Sequence, residues 1–273
     1  MDNSYFILPT FDAVLCSFGP FSVHWLAVLI FISLLIVYVF AHQTVKQGEA
    51  VLADEALNNL LFYSILGGFI GGRIGYCVFY QFEYMLINPG FIFDVRQGGM
   101  SFHGALLGGV GASLIYAIKM KIKLFDCLDL LAPFAPIVII ATHLAHFITG
   151  ELWGRVTQVP WAVVYAKDEL HLPRHPSQLY ELALEGILLW LILYFSQRKI
   201  TARAVISGLF LSGYGILRIF AEFFREPDLH LGYYFSSISM GQILSIPMVI
   251  VGIIVIYWGY LNQAKESIIG QKK

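Results

Sequence analysis

The stretch YGILRIFAEFFREPD, residues 214–228, lies in a long apolar run yet carries Arg218 and Glu222 one helical turn apart. At 3.6 residues per turn, Tyr214, Arg218, Glu222 and Arg225 share one stripe of a helix. A charged side chain in a membrane helix costs at least about 2.5–3.5 kcal/mol on insertion scales, so such residues are rare and usually functional. The stretch reads as a membrane helix whose polar, anion-attracting face turns into the protein.

Composition points the same way. Of 273 residues, 58% are hydrophobic and 13% charged, against about 25% charged in an ordinary soluble domain. Mean hydropathy is +0.72. A net charge of −1 argues against a nucleic-acid binder and gives no electrostatic reason for an acidic partner. Cys16, Cys77 and Cys127 are far apart, which suits neither a disulfide framework nor a metal cluster. The start of the chain lacks a basic segment before its first apolar run, so no cleaved signal peptide is expected.

A spanning helix needs roughly 20 mostly apolar residues. Seven are expected, at about 22–41, 57–80, 101–119, 127–148, 178–196, 203–222 and 237–260. Nothing resembling a linker separates them, so residues 1–273 read as one all-α polytopic domain. The connections divide the basic residues unevenly. One set holds ten: Lys46, Lys119, Lys121, Lys123, Arg198, Lys199, Arg203, Lys265, Lys272 and Lys273. The other holds five: Arg96, Arg155, Lys167, Arg174 and Arg225. By the positive-inside rule the first set faces the cytoplasm, which puts the N-terminus outside and the C-terminus inside. Arg73 and Arg218 fall within spans.

Gly67, Gly71 and Gly75, and likewise Gly104 and Gly108, recur every four residues. That spacing lets helix backbones approach closely in lipid. Arg73 follows two of these glycines. It suits either an ion pair with an acid such as Glu222 or Glu151, or a lipid phosphate, which its planar fork binds with two hydrogen bonds. Glu222 most simply orients or neutralises an arginine. His103, at the end of the third span, either caps a helix or transfers a proton, for which its ordinary pKa of about 6.5 is suited. His143 and His146 are three apart and face one way. With Glu151 they favour a polar network over a metal site, since no zinc spacing is present. Ser177, in HPSQLYE (175–181), is a plausible helix N-cap, with Glu181 pointing inward or pairing with an arginine. No GxSxG, Walker or HExxH motif occurs.

GGRIGY (71–76), FHGALLG (102–108), GELWGR (150–155), HPSQLYE and YGILRIFAEFFREPD together resemble the bacterial prolipoprotein diacylglyceryl transferases. The resemblance covers about residues 65–230 well and the first span poorly. It implies a multi-pass protein of the bacterial inner membrane with a periplasmic N-terminus. The implied reaction moves the diacylglyceryl group of phosphatidylglycerol onto the lipobox cysteine thiol of a prolipoprotein, releasing glycerol-1-phosphate. No cofactor, metal or nucleic acid is implied, and the oligomeric state is left open. His103 matches the family's essential histidine and would be the base. Arg218 matches an essential arginine, and Tyr214 the tyrosine one turn before it. Arg73, Glu151, Gly154, Glu222 and Arg225 fall on family motif positions expected to serve the phospholipid.

The chain departs from the family signature, approximately GRxGNFxNxExxG, in its stretch ATHLAHFITGELWG (141–154). His143 stands where the family has a second essential arginine, and His146 where it has asparagine. Both are carried as phospholipid-binding positions, and Glu151, if it lies near His143, would hold the imidazolium form. These departures leave an alternative open, a non-catalytic lipid or signal-peptide binder on the same scaffold. A transporter ranks last, because the polar residues gather toward one side of the membrane instead of forming repeated, broken helices.

Overall fold

The computed structural model describes residues 5–19, 21–47, 52, 54–95, 98–226 and 238–270. Arg96, Pro227, Asp228, Lys272 and Lys273, used above, lie outside them. Six helical segments are long and apolar enough to cross a membrane: Trp25–Lys46, Asp54–Tyr80, Phe102–Met120, Leu124–Thr149, Ser177–Gln197 and Met240–Ser267. The seventh expected span is the shorter apolar helix Val205–Ala221. The chain is thus a helical, multi-pass membrane protein. Its first span begins three residues later than expected because Phe21–His24 pairs as a strand instead.

The chain gathers into two compact units, Met1–Phe40 with Ala132–Lys273, and Ala41–Leu131. In the second unit, helix α2 (Asp54–Tyr80) packs on helix α4 (Phe102–Met120), with the short α3 (Phe82–Ile87) between them in sequence and α5 (Leu124–Leu131) after them. The expected glycine spacing is the contact itself. A methyl group on Gly71 would strike the Gly104 carbonyl and lie 2.7 Å from Gly108 Cα, and one on Gly75 would lie 2.6 Å from Gly104 Cα. At this distance main chain meets main chain, the packing that small residues permit in lipid. Polar ties hold the same pair further along: Tyr116 donates to the Ala56 carbonyl (3.1 Å), and the Ser64 and Ser113 hydroxyls lie 2.9 Å apart. Helix α1 (Trp25–Lys46) ends beside α2, where His42 Nε2 lies 2.9 Å from Asn58 Oδ1.

The first unit adds two small sheets to the helices. Strands β2 (Val14–Phe18) and β3 (Phe21–His24) form a hairpin. Strand β1 (Phe6–Leu8) runs parallel to β4 (Val163–Tyr165), which pairs antiparallel with β5 (Pro173–Arg174). Leu8, Val163 and the fully buried Tyr165 form an apolar cluster with Phe147 and Trp153 against it. The helices of this unit are α6 (Ala135–Thr149), α7 (Ser177–Glu181), a π-helical turn over Leu182–Leu188, α8 (Leu189–Gln197), α9 (Val205–Ala221) and α10 (Met240–Gly270). Helix α9 lies against α10 through glycines: a methyl on Gly252 would sit 2.5 Å from Ser212 N, and one on Gly215 2.9 Å from the Ser245 carbonyl.

Candidate functional site

Helix α9 carries Tyr214 and Arg218 into the first unit but ends at Ala221, so Glu222 caps it and Arg225, expected on the same stripe, lies beyond the helix on a bridge to Gly154. Tyr214, Glu222 and Arg225 are all less than a tenth exposed. The Arg218 side chain meets three carboxylates. Nη1 donates to Glu181 Oε1 at 2.5 Å and to Glu185 Oε1 at 3.5 Å, and Nη2 lies 2.9 Å from Glu222 Oε2. Arg225 reaches back to the same Glu181 oxygen at 3.1 Å. A methyl on Gly241, at the start of α10, would press on the Glu222 carboxylate at 2.9 Å, so that glycine lets the helix close over the acid.

His143 joins this network from α6. Its Nδ1 lies 3.2 Å from Glu181 Oε2 and its Nε2 3.5 Å from Glu185 Oε2, with both glutamates fully buried. A neutral imidazole carries one N–H and satisfies one carboxylate, whereas a doubly protonated ring satisfies both. Three carboxylates and two guanidiniums leave one negative charge, which such a ring would balance. Burying an isolated ion costs several kcal/mol, so the geometry requires that these charges be paired. The placement of Glu151 near His143 is corrected here. Glu151 instead meets His146 Nδ1 at 3.6 Å and Lys167 Nζ at 3.8 Å. The cause is the end of α6: Gly150 takes a left-handed φ of +63° and turns Glu151 away from the helix axis. The neighbouring His146 ring outweighs partial burial and holds the Glu151 carboxyl below its ordinary range.

Glu181 points inward and pairs with arginines, as its motif suggested, whereas Glu185 is the residue that the motif reading missed. Its signal was present, namely a second acid four residues on from Glu181 within the apolar LALEGILL. Glu185 sits in the π-helical turn, a local widening frequent at functional sites. Ser177 is not the N-cap of α7. Pro176 holds that position, and the Ser177 hydroxyl donates to the Leu152 carbonyl at 3.1 Å.

The connection 150–176 is fastened by backbone and charge. Gly154 N–H donates to the His175 carbonyl, Arg155 N–H to the Phe224 carbonyl, and Arg155 Nε to the Arg225 carbonyl, all near 3.0 Å. A methyl on Gly154 would lie 2.5 Å from both the His175 and Phe224 carbonyls, so only glycine fits between these two backbones. Arg174 Nε donates to Asp168 Oδ2 at 2.6 Å. Burial raises the Asp168 carboxyl, but Arg174 together with the Leu170 and Leu172 N–H groups outweighs it and leaves the group below its ordinary range. Burial lowers His175, which favours its neutral form.

Arg73 and His103 belong to the other unit. His103 is the second residue of α4 and is buried. The cap is Ser101, whose Oγ accepts from Gly104 N–H at 3.2 Å. Within this unit the Arg73 guanidinium donates to five main-chain carbonyls.

Helical spans enclosing a buried network of three acids, two arginines and a histidine describe a multi-pass membrane protein with a charge-paired polar site in its interior. The prolipoprotein diacylglyceryl transferase family model matches residues 13–258, and the chain belongs to that family. It is 43% identical over 267 residues to the phosphatidylglycerol–prolipoprotein diacylglyceryl transferase of Pasteurella multocida, covering 97% of this chain and 98% of the relative. The similarly named protein of Vibrio cholerae is 44% identical over 260 residues, covering 95% and 96%. That of Erwinia tasmaniensis is 41% identical over 289 residues, covering 98% and 99%.

Proposed function

We propose that this chain is a phosphatidylglycerol–prolipoprotein diacylglyceryl transferase of a bacterial inner membrane, acting as one integral membrane domain with its N-terminus periplasmic and its C-terminus cytoplasmic. The observation that carries the reading is near-full-length similarity to relatives bearing that name. In the reaction, the lipobox cysteine sulfur attacks the glyceryl carbon bonded to the phosphate oxygen. The carbon–oxygen bond breaks, a thioether forms, and glycerol-1-phosphate leaves. A free thiol has a pKa of about 8.5, so near neutrality most of it needs a base, and His103 takes the proton. Charge building on the departing phosphate calls for fixed cations, the role of Arg218 with His143. Tyr214, Glu222 and Glu181 orient Arg218. Arg225, His146, Glu151 and Gly154 complete the phospholipid-binding set, and the connection 149–177 helps admit the signal peptide.

The test is incubation of the purified protein with phosphatidylglycerol and a lipobox peptide, followed by mass spectrometry of the peptide. A diacylglyceryl mass gain, lost when the acceptor cysteine is serine, is the expected result. No gain beside a working control, with lipid still bound, overturns it in favour of the non-catalytic binder. One observation favours that second reading: both ring nitrogens of His143 already face carboxylates.

A further inference from the structure

We propose that Arg73 is a positioning residue for His103, acting through the segment that leads into α4, and is not a phosphate ligand. The inference rests on the reading of His103 as the base. Arg73 is 3% exposed and has five N–H donors. Nε donates to the Ile92 carbonyl at 3.1 Å. Nη1 donates to Gly98 at 2.5 Å and Gly99 at 3.1 Å. Nη2 donates to Phe91 at 2.6 Å and Asp94 at 2.7 Å. The guanidinium also stacks over the Phe91 ring at 4.5 Å. All five donors are spent on main chain, so none remains for a phosphate oxygen.

The grip leads directly to His103. Gly98 and Gly99 take φ of +73° and +85°, and Gly99 is pressed so closely on the Tyr76 ring that a methyl there would lie 2.6 Å from Tyr76 Cζ. Two residues later, Ser101 N–H donates to the Gly72 carbonyl at 2.9 Å, and Ser101 Oγ caps α4. Two residues of chain span at most about 7 Å, so fixing Gly99 fixes the cap. Adjacent residues of α2, Gly72 and Arg73, therefore hold the entry to α4 by its backbone, and His103 follows in the first turn. A lysine is a point charge with three donors and does not span five carbonyls.

The experiment measures kcat, KM for phosphatidylglycerol in mixed micelles, and Tm for wild type, Arg73→Lys and His103→Ala, with a single-cysteine lipobox peptide. The range runs from about pH 6.5 to 9.5, bracketing the thiol pKa near 8.5. For folded Arg73→Lys, kcat near pH 7 is expected to fall by about ten- to a hundred-fold, the scale of a misplaced catalytic group, with KM unchanged. The deficit shrinks as pH rises, because the peptide thiol ionises without a base, and His103→Ala gives the same profile. A raised KM with intact kcat identifies a phosphate ligand and overturns the proposal, as does a deficit independent of pH or wild-type behaviour. If Arg73→Lys does not fold, Gly98→Ala strains the loop at its positive φ while keeping the guanidinium. A smaller deficit of the same pH shape supports positioning, and a flat or absent one overturns it. Full activity in His103→Ala removes the base reading itself, whereas an impaired His103→Ala beside a normal Arg73→Lys removes only the positioning role.

Discussion

Glu181 holds Arg218 with one carboxylate oxygen, Oε1 at 2.5 Å from Nη1, and leaves the other, Oε2, facing His143 at 3.2 Å. One fully buried acid thus joins α6, α7 and α9, and it also takes Arg225 through Oε1.

Glu181→Gln keeps the shape and removes the charge from this junction. Breaking a buried ion pair by deleting one partner costs about 3–5 kcal/mol, because the remaining charges stay buried. The variant is expected to lose at least about ten-fold in turnover and to melt lower in detergent. A variant with wild-type turnover and Tm would show that Glu181 is dispensable to Arg218.

His143→Arg tests the departure from the family signature. Its neighbours Glu181 and Glu185 both present oxygens to the ring, so a permanent cation has partners at both ends. Turnover is expected to hold or rise, while His143→Ala lowers it by leaving the Oε2 oxygens of Glu181 and Glu185 without their partner. A clear loss in His143→Arg would mean that the pocket has been rebuilt around an imidazole.

Gly71→Ala should destabilise the α2–α4 pair by about 1–3 kcal/mol, the usual cost of forcing an atom into a packed interface. The added methyl meets backbone atoms of Gly104 and Gly108, which have no rotamer by which to yield. Chemical denaturation in micelles measures it, and unchanged stability would contradict the contact.

Asp168→Asn should loosen the connection 150–176 near neutral pH, with roughly ten-fold faster cleavage in limited proteolysis, the scale of a lost charged hydrogen bond. The folded-state pKa lies below the unfolded one. The stabilisation is therefore complete above about pH 4, the ordinary aspartate value, and is lost as pH falls through the lower, folded value. The difference between wild type and Asp168→Asn should close in acid and stay constant between neutral and mildly alkaline pH.

The spans were legible because long apolar runs carry their own signal. The glycine interface was legible because a four-residue spacing has one geometric meaning. The polar partners were harder to read. Arg218 with Glu222 follows from helical spacing, but Glu181 and Glu185 arrive from a helix distant in sequence, and no local period links them to Arg218. Glu151 looked close to His143 in sequence until the left-handed Gly150 turned it toward His146 and Lys167. The strand pairing of Phe6–Leu8 with Val163–Tyr165 joins segments too short and too far apart to announce themselves. The partners of Arg73 were hardest to read, because they are carbonyls, which every residue has and no motif records.

That grip on main chain has an evolutionary consequence. An arginine paired with an aspartate constrains two codons at once, since either change strands the other. An arginine that reads carbonyl oxygens leaves its partners free to drift: Ile92 and Asp94 can be exchanged for other residues while the atoms Arg73 holds remain in place. Variation among descendants should therefore accumulate in the side chains of residues 92–95, while Arg73, the Phe91 ring beneath it and the two left-handed glycines, Gly98 and Gly99, stay still.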